Sequence, residues 1–142
     1  MDREEEISQT NTSPGLVNPP LEALSVGVGR TRVKLELQFQ GRDFLLLVTG
    51  GRAHVGAVAV WDGRNADDQA VVIELTGHRE GPLAGECVEI LGRASGRTGT
   101  AVVGIHQDNA TRDEIAAIVA NVRKGADALA KKVTPEQRNA DE

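Results

Sequence analysis

Apolar and polar residues alternate along the run from Val33 to Gln40, which reads VKLELQFQ. A period of two turns one face of the chain toward a core and the other toward water, so the run predicts a half-buried β-strand. A Gly-Arg pair separates it from a second apolar run, Phe44–Val48, and this short connection predicts an antiparallel hairpin. Further strands are predicted over residues 54–61 and 70–75. Four successive strands with short connections predict an antiparallel meander.

The second half of the chain changes to helical spacing. Pro82 stands where the first position of a helix would be, and apolar residues recur every three or four positions from there to Gly96. After a short β-rich run at residues 100–105, Thr111 and Glu114 form a Thr-x-x-Glu capping box ahead of a second helix. The order ββββαβα predicts a two-layer α+β fold, with both helices on one face of a mostly antiparallel sheet.

Composition divides the chain into a body and two tails. Residues 1–29 hold one arginine against five acids and lack a sustained apolar period. Such a segment buries too little surface to offset the entropy of ordering, so we expect a mobile acidic N-terminal arm over residues 1–29. Residues 134–142 are expected to form a flexible C-terminal tail, which leaves residues 30–133 as the ligand-binding domain.

The same composition disfavours several partners and locations. The chain has no basic stripe and only 2% aromatic residues, so it lacks the charge and stacking surfaces that nucleic acids require. No stretch is long and apolar enough to predict a membrane span. The single cysteine, Cys87, cannot form an internal disulfide, which fits a reducing compartment and predicts a cytoplasmic protein.

All three histidines, His54, His78 and His106, fall where a predicted strand begins or ends. Rigid scaffolds present binding groups at strand ends and in the loops beyond them, so we expect the three imidazoles to meet near one site. Three neutral imidazoles are also a known zinc set, although their spacing here matches no local ligand motif. The alternative is that each is an ordinary surface histidine.

The pair Gly50–Gly51 could bring backbone amides close to an anion, with Arg52 beside them. No Gly-Lys-Ser/Thr sequence follows, so the pair does not belong to a P-loop. A glycine pair in a hairpin turn is the simpler explanation, and a phosphate site is the alternative.

No catalytic constellation stands out in the sequence. No serine or cysteine lies in a sharp strand-to-helix turn of the kind that presents a nucleophile. Four carboxylates are predicted to lie on solvated faces, where they would only aid solubility: Glu74, Glu80, Glu86 and Glu89. The protein is therefore predicted not to be an enzyme.

Three short motifs contain all of the histidines. They read TGGRAHVG at residues 49–56, GHRE at residues 77–80 and GIHQDNAT at residues 104–111. Taken together and in this order, they resemble the small D subunit of gallate decarboxylase, an LpdD-like family described as chaperones for prenylated flavin. The resemblance covers roughly residues 31–133.

This resemblance implies a homodimer with a fold similar to the proteasome assembly chaperones. Such a protein would bind reduced prenylated flavin mononucleotide (prenylated FMN) and help to load it into an apo-decarboxylase of the UbiD type, where the cofactor matures oxidatively. The chaperone would shield an oxygen-sensitive ligand and would form no bond itself.

The resemblance also implies roles for residues of the three motifs. The amides of the glycine pair, with Arg52, would meet the phosphate, and the histidines would bind the phosphate or the polar edge of the reduced ring. Gly56 and Gly104 would let the ligand approach the backbone closely. The implied cofactor-binding residues are Gly50, Gly51, Arg52, His54, Gly56, His78, Arg79, Gly104, His106 and Asn109. Because the chain has few aromatic residues, aliphatic side chains or a second protomer must cover the ring.

Two alternatives stay open on the sequence. One is an assembly chaperone that holds a partner protein through its sheet or helices and carries no small molecule. The other is a zinc-dependent enzyme in which the three histidines hold a metal-bound water.

Overall fold

The computed structural model describes residues 22–133 and residue 135. The arm predicted over residues 1–29 lies outside the described residues up to residue 21, and so does most of the predicted C-terminal tail. The elements in chain order are β1 (Glu22–Val26), a short 3₁₀ helix (Gly29–Thr31), β2 (Val33–Gln40), β3 (Asp43–Gly51), β4 (Ala57–Trp61), β5 (Val71–Glu74), α1 (Gly81–Ser95), β6 (Gly99–His106) and α2 (Arg112–Lys132).

The six strands form one sheet in the order β1-β2-β3-β6-β4-β5. All neighbouring strands are antiparallel except β3 and β6, which run parallel. Both helices pack on one face of this sheet, so the predicted α+β fold with a mostly antiparallel sheet is confirmed. The predicted meander is wrong, because β6 lies between β3 and β4. The chain leaves the sheet after β5, crosses its apolar face as α1 and returns through the middle as β6.

The start of the sheet also differs from the prediction. The sequence places residues 22–29 in the arm, whereas the structure places Glu22–Val26 in β1, antiparallel to β2. Two alternate side chains of β1, Leu24 and Val26, pack against the core. The apolar pattern of so short a strand is weak, and backbone pairing with β2 supplies the rest of its stability.

The core lies between the sheet and the helices and is almost entirely aliphatic, as the composition predicts. Its two large aromatic residues, Trp61 and Phe44, pack against positions that lack a side chain. A Cβ atom at Gly92 would lie 2.2 Å from the Trp61 ring, and one at Gly99 would lie 2.2 Å from the Phe44 ring. Both rings are buried in this packing, so neither is available to stack on a ligand.

Both predicted helices form, with the expected ends. Helix α1 carries proline in its first turn and ends at Gly96, whose φ of 68° is the left-handed conformation that glycine adopts readily. Helix α2 begins at the Thr111–Glu114 capping box, in which both reciprocal hydrogen bonds are present. Gly125 inside α2 allows a close approach to β2, because a Cβ atom there would lie 2.5 Å from a methyl group of Leu35. None of the helices described is both long and apolar enough to cross a membrane.

Candidate functional site

One edge of the sheet brings the three motifs together. At this edge β3, β5 and β6 end, β4 begins, and each of the two helices starts. The connection from β3 to β4, residues 52–56, crosses over the end of β6. It is fastened there by two backbone hydrogen bonds, from Arg52 N–H to the His106 carbonyl (2.9 Å) and from Gly56 N–H to the Val103 carbonyl (3.0 Å).

Two glycines make this crossing possible. A Cβ atom at Gly104 would lie 1.5 Å from the carbonyl oxygen of His54, so only glycine lets the connection lie flat on β6. A Cβ atom at Gly56 would lie 2.4 Å from a carboxylate oxygen of Glu80. Contacts within the protein therefore account for both glycines, and their predicted contact with a ligand stays a prediction.

The structure confirms that the three histidines meet. The ring centroids of His54 and His78 are 4.6 Å apart, and those of His54 and His106 are 6.3 Å apart. Nε2 of His54 lies 3.1 Å from Nδ1 of His78. The strand predicted over residues 54–61 needs correction at its start, since residues 54–56 precede β4 and are not part of a strand. Because β4 begins only at Ala57, His54 lies in the connection before it, and its side chain contacts the 77–80 loop.

Glu80 is the residue that the sequence analysis missed. It was predicted to lie on a solvated face, but its side chain is only 13% exposed and its Oε1 lies 3.1 Å from Nε2 of His54. Its Oε2 lies 3.7 Å from Nδ1 of His78. Glu80 is two residues from His78 in a turn that leads into α1, and that short spacing next to a histidine was the available signal. Glu74 is also engaged, since it accepts a hydrogen bond from the Gly81 amide at 2.8 Å.

His106 has a different carboxylate partner. Its Nε2 lies 3.0 Å from Oδ1 of Asp108, and Arg52 pairs with the same carboxylate. The hydrogen bond with His106, followed by the charge of Arg52, lowers the pKa of Asp108 below its usual range. Arg52, predicted to meet a phosphate, is thus held by an acidic side chain at the rim of the site.

A cavity of about 370 Å³ opens beside the histidines, and we call it the histidine cavity. Its polar wall is formed by His78, Arg79, Glu80, His106 and Gln107. Its apolar wall is formed by Leu83, Ile105, Ile115, Ile118 and Val119. His54 does not line the cavity, but it contacts two residues that do, His78 and Glu80. The size and the mixture of apolar and polar groups are those of a small-molecule site.

The predicted glycine pair lines a separate cavity of about 350 Å³, the glycine cavity. Gly50 and Gly51 form the end of β3 and not a free turn, and they share this cavity with Arg32 and Lys34. Gln107 lines both cavities. Of the predicted site residues, Gly50 and Gly51 line the glycine cavity, and His78, Arg79 and His106 line the histidine cavity. The other five line neither cavity: Arg52, His54, Gly56, Gly104 and Asn109.

The last two predicted residues have distinct positions. Arg79 lies on the wall of the histidine cavity, and no carboxylate within residues 22–133 forms an ion pair with it. Asn109 lies in the loop between β6 and α2 with a φ of 53°, a left-handed conformation that asparagine tolerates better than most residues. Its backbone conformation explains the asparagine without a ligand contact.

Comparison with known proteins identifies the fold and the family. No curated protein matches the chain. A solved structure, the crystal structure of a chaperone complex for yeast 20S proteasome assembly, is similar with a TM-score of 0.54 and 10% sequence identity. That match covers 79% of this chain and 97% of the other, and at such low identity it shows the fold alone. A family model, the prenylated flavin chaperone LpdD-like domain, matches residues 27–134, and the chain belongs to that family.

Proposed function

We propose that this protein binds reduced prenylated FMN in the histidine cavity and delivers it to an apo-decarboxylase of the UbiD type. The observation that carries the proposal is the composition of this cavity. Two of the three motifs, residues 77–80 and 104–111, supply its polar wall, and the two helices supply most of its apolar wall. One concave site thus offers both of the surfaces that a flavin nucleotide needs.

The apolar wall suits the ring system of the cargo. It is built from aliphatic side chains, as expected from a chain whose tryptophan and one of its two phenylalanines are committed to the core. When aliphatic side chains cover a flat ring, they remove its apolar surface from water, and this contributes roughly 25 cal/mol of binding free energy for each Å² buried. The added prenyl carbons of the cargo increase the apolar surface that can be buried in this way.

The polar wall suits the phosphate and the polar edge of the ring. Arg79 is a cation without an ion-pair partner within residues 22–133, so it is free to form charge-assisted hydrogen bonds with a phosphate. His78 and His106 can each donate or accept a hydrogen bond, depending on the tautomer. The glycine cavity, which is lined by Arg32 and Lys34, offers a second place for a phosphate, and Arg52 directly follows its glycine pair in the chain.

The rim of the histidine cavity suits a carrier that must release its cargo. Ile115 is 52% exposed, and the side chain of His106 is 50% exposed. A partly open site binds by complementarity and leaves a path to the decarboxylase, whereas an enclosed site would have to unfold locally to release the ligand. The single cysteine is buried, and a reducing cytoplasm fits both this thiol and a reduced cargo.

We also propose that the carrier is a homodimer formed through the sheet face that the helices do not cover. Strand pairing places apolar side chains side by side on this face: Leu45, Leu47, Val58, Val60, Val71, Ile73 and Val102. Val71 and Ile73 are 69% and 64% exposed. A contiguous apolar patch of this kind marks an interface, and a second copy related by a two-fold axis offers the same patch in return.

Anaerobic titration with reduced prenylated FMN tests the proposal. Ile115→Glu places a charge against the apolar wall, and we expect it to weaken binding by about 100-fold or more. Ala120→Glu, on an exposed position of the same helix, is the matched control and should bind like the wild type. Oxidised FMN serves as the ligand control.

The second half of the test is delivery. The loaded protein is mixed with a purified apo-decarboxylase, and decarboxylation is compared with that produced by free reduced prenylated FMN at the same concentration. Binding without faster activation would leave a flavin-binding protein and remove the delivery step. No saturable binding by the wild type would refute the whole proposal and favour an assembly chaperone without a small-molecule ligand.

A further inference from the structure

Three side chains that carry potential metal-ligand atoms converge next to the histidine cavity. Nε2 of His54 lies 3.1 Å from Nδ1 of His78 and 3.1 Å from Oε1 of Glu80. Nδ1 of His78 lies 3.7 Å from Oε2 of Glu80. A tetrahedral zinc site with bonds of about 2.05 Å has its ligand atoms about 3.3 Å apart. The two 3.1 Å spacings from Nε2 of His54 are close to that edge, and one ligand atom from each of the three residues lies within 4.8 Å of the others.

The protonation of His54 makes this convergence informative. Nδ1 of His54 lies 3.1 Å from the carbonyl oxygen of Arg52, and a carbonyl oxygen can only accept a hydrogen bond. Nδ1 must therefore carry the proton, and in the neutral ring Nε2 presents its lone pair. That lone pair faces a carboxylate oxygen, which also has only lone pairs to offer. In the neutral tautomer a cation between the two atoms would satisfy both lone pairs, whereas an imidazolium ring would donate its Nε2–H to the carboxylate directly.

Hydrogen bonds with neighbouring backbone groups hold two of the three side chains, His54 and Glu80, in place. The carbonyl of Arg52 fixes the tautomer and the ring orientation of His54, which is the usual arrangement behind a metal-binding histidine. The Arg79 amide donates a hydrogen bond to Oε2 of Glu80 at 3.1 Å. Gly56 leaves the space that the Glu80 carboxylate occupies, since a Cβ atom there would lie 2.4 Å from it.

We propose that His54, His78 and Glu80 form a binding site for a divalent transition-metal ion of the zinc class. The set is two imidazoles and one carboxylate, which leaves at least one coordination position open. His106 is not a member, because it pairs with Asp108 and its ring centroid lies 6.3 Å from that of His54. The proposed ligands thus differ from the three-histidine set that the sequence suggests.

The open position would face the histidine cavity, because His78 and Glu80 both line it. A bound divalent cation would also outweigh the negative charge of Glu80, which otherwise repels anionic oxygen from this wall. The site would therefore take an oxygen-donor ligand of the carboxylate or phosphate class as its fourth partner.

Titration of the metal-free protein with Zn²⁺ alone tests the site. After dialysis against a chelator, isothermal titration should give one strong site in each protomer, and Co²⁺ should give the visible absorption of a tetrahedral complex. Glu80→Gln and His54→Ala should each weaken binding by more than about 100-fold, since loss of an outer partner alone costs 10- to 100-fold. The matched control His106→Ala should bind Zn²⁺ like the wild type.

Three outcomes would overturn the proposal: no stoichiometric Zn²⁺ site in the wild type, unchanged affinity in Glu80→Gln, or loss of the site in His106→Ala. Thermal melts of each variant show whether the fold is retained. If His54→Ala does not fold, Gly56→Ala replaces it, because its methyl group displaces the carboxylate of Glu80 and should weaken the site without removing a ligand. No flavin is present in these titrations, so their result is independent of cargo binding.

Discussion

Gly104→Ala tests whether the crossing of residues 52–56 over β6 is what builds the site. The new Cβ atom would lie 1.5 Å from the carbonyl oxygen of His54 and 2.3 Å from its carbonyl carbon. A carbon–oxygen contact needs about 3.3 Å, so the connection must lift by about 1.8 Å. Backbone cannot rotate out of the way as a side chain can, and the displaced residue is His54 itself.

The expected cost follows from what the lift breaks. The connection is fastened by the hydrogen bonds of Arg52 and Gly56 to β6, and losing both costs about 2 kcal/mol of unfolding free energy. Strain from overpacking adds about 1–3 kcal/mol. The total of about 3–5 kcal/mol corresponds to a fall in melting temperature of about 12–20 °C for a domain of this size.

Thermal melts followed by circular dichroism measure this fall. The control is Gly85→Ala, whose Cβ atom would meet only Cγ2 of Val72, at 3.2 Å, on the edge strand β5. That control also replaces glycine inside a helix, which stabilises by up to about 1 kcal/mol, so its melting temperature should equal or exceed that of the wild type. A melting temperature for Gly104→Ala within about 3 °C of the wild type would show that the crossing is not tightly packed.

Three further predictions follow from the structure. Burial raises the pKa of the Cys87 thiol to about 12. At pH 8 this thiol should therefore react with a thiol reagent about 1000-fold more slowly in the native protein than an exposed cysteine does, and rapid labelling would contradict its burial. The Glu86–Arg123 ion pair between α1 and α2 lowers the pKa of Glu86 below its ordinary 4.5, so Glu86→Gln should destabilise the protein at pH 7. Urea melts should show the difference in unfolding free energy between variant and wild type shrinking as the pH falls below 4.5. A difference that does not change with pH would exclude the ion pair as its cause. Ile73→Glu on the uncovered sheet face should shift a dimer to monomer in light scattering, while Val28→Glu, exposed but off that face, should not; an unchanged mass for Ile73→Glu would remove this face as the interface.

Local patterns predicted the elements and their layers. The alternation in β2, the Gly-Arg turn to β3 and the capping box of α2 depend on neighbours within a few residues, so their signals are complete in the sequence. The strand over residues 54–61 was predicted three residues too long, because apolar content does not reveal where Gly56 begins to pair with β6. The short β1 was missed for the same reason, since its stability depends on pairing with β2.

The candidate site was predictable in its histidines but not in its carboxylate. His54, His78 and His106 each end or precede a strand, and that feature is visible without the fold. Glu80 resembles any acidic residue at the start of a helix, where a negative charge is favourable on its own. Its partnership with His54 depends on the missing side chain at Gly56, which becomes meaningful only when the two segments are known to face each other.

The position of β6 explains why distant motifs converge. In the predicted meander, the end of β3 would adjoin β4 directly, and residues 104–111 would lie at the margin of the sheet. Inserting β6 parallel to β3 instead sets Gly51 beside His106 and forces residues 52–56 to cross the strand end. The chain then reaches the same edge again after β5, which brings residues 77–80 beneath His54. The insertion of this single strand therefore replaces the simplest topology and brings each motif into contact with the next.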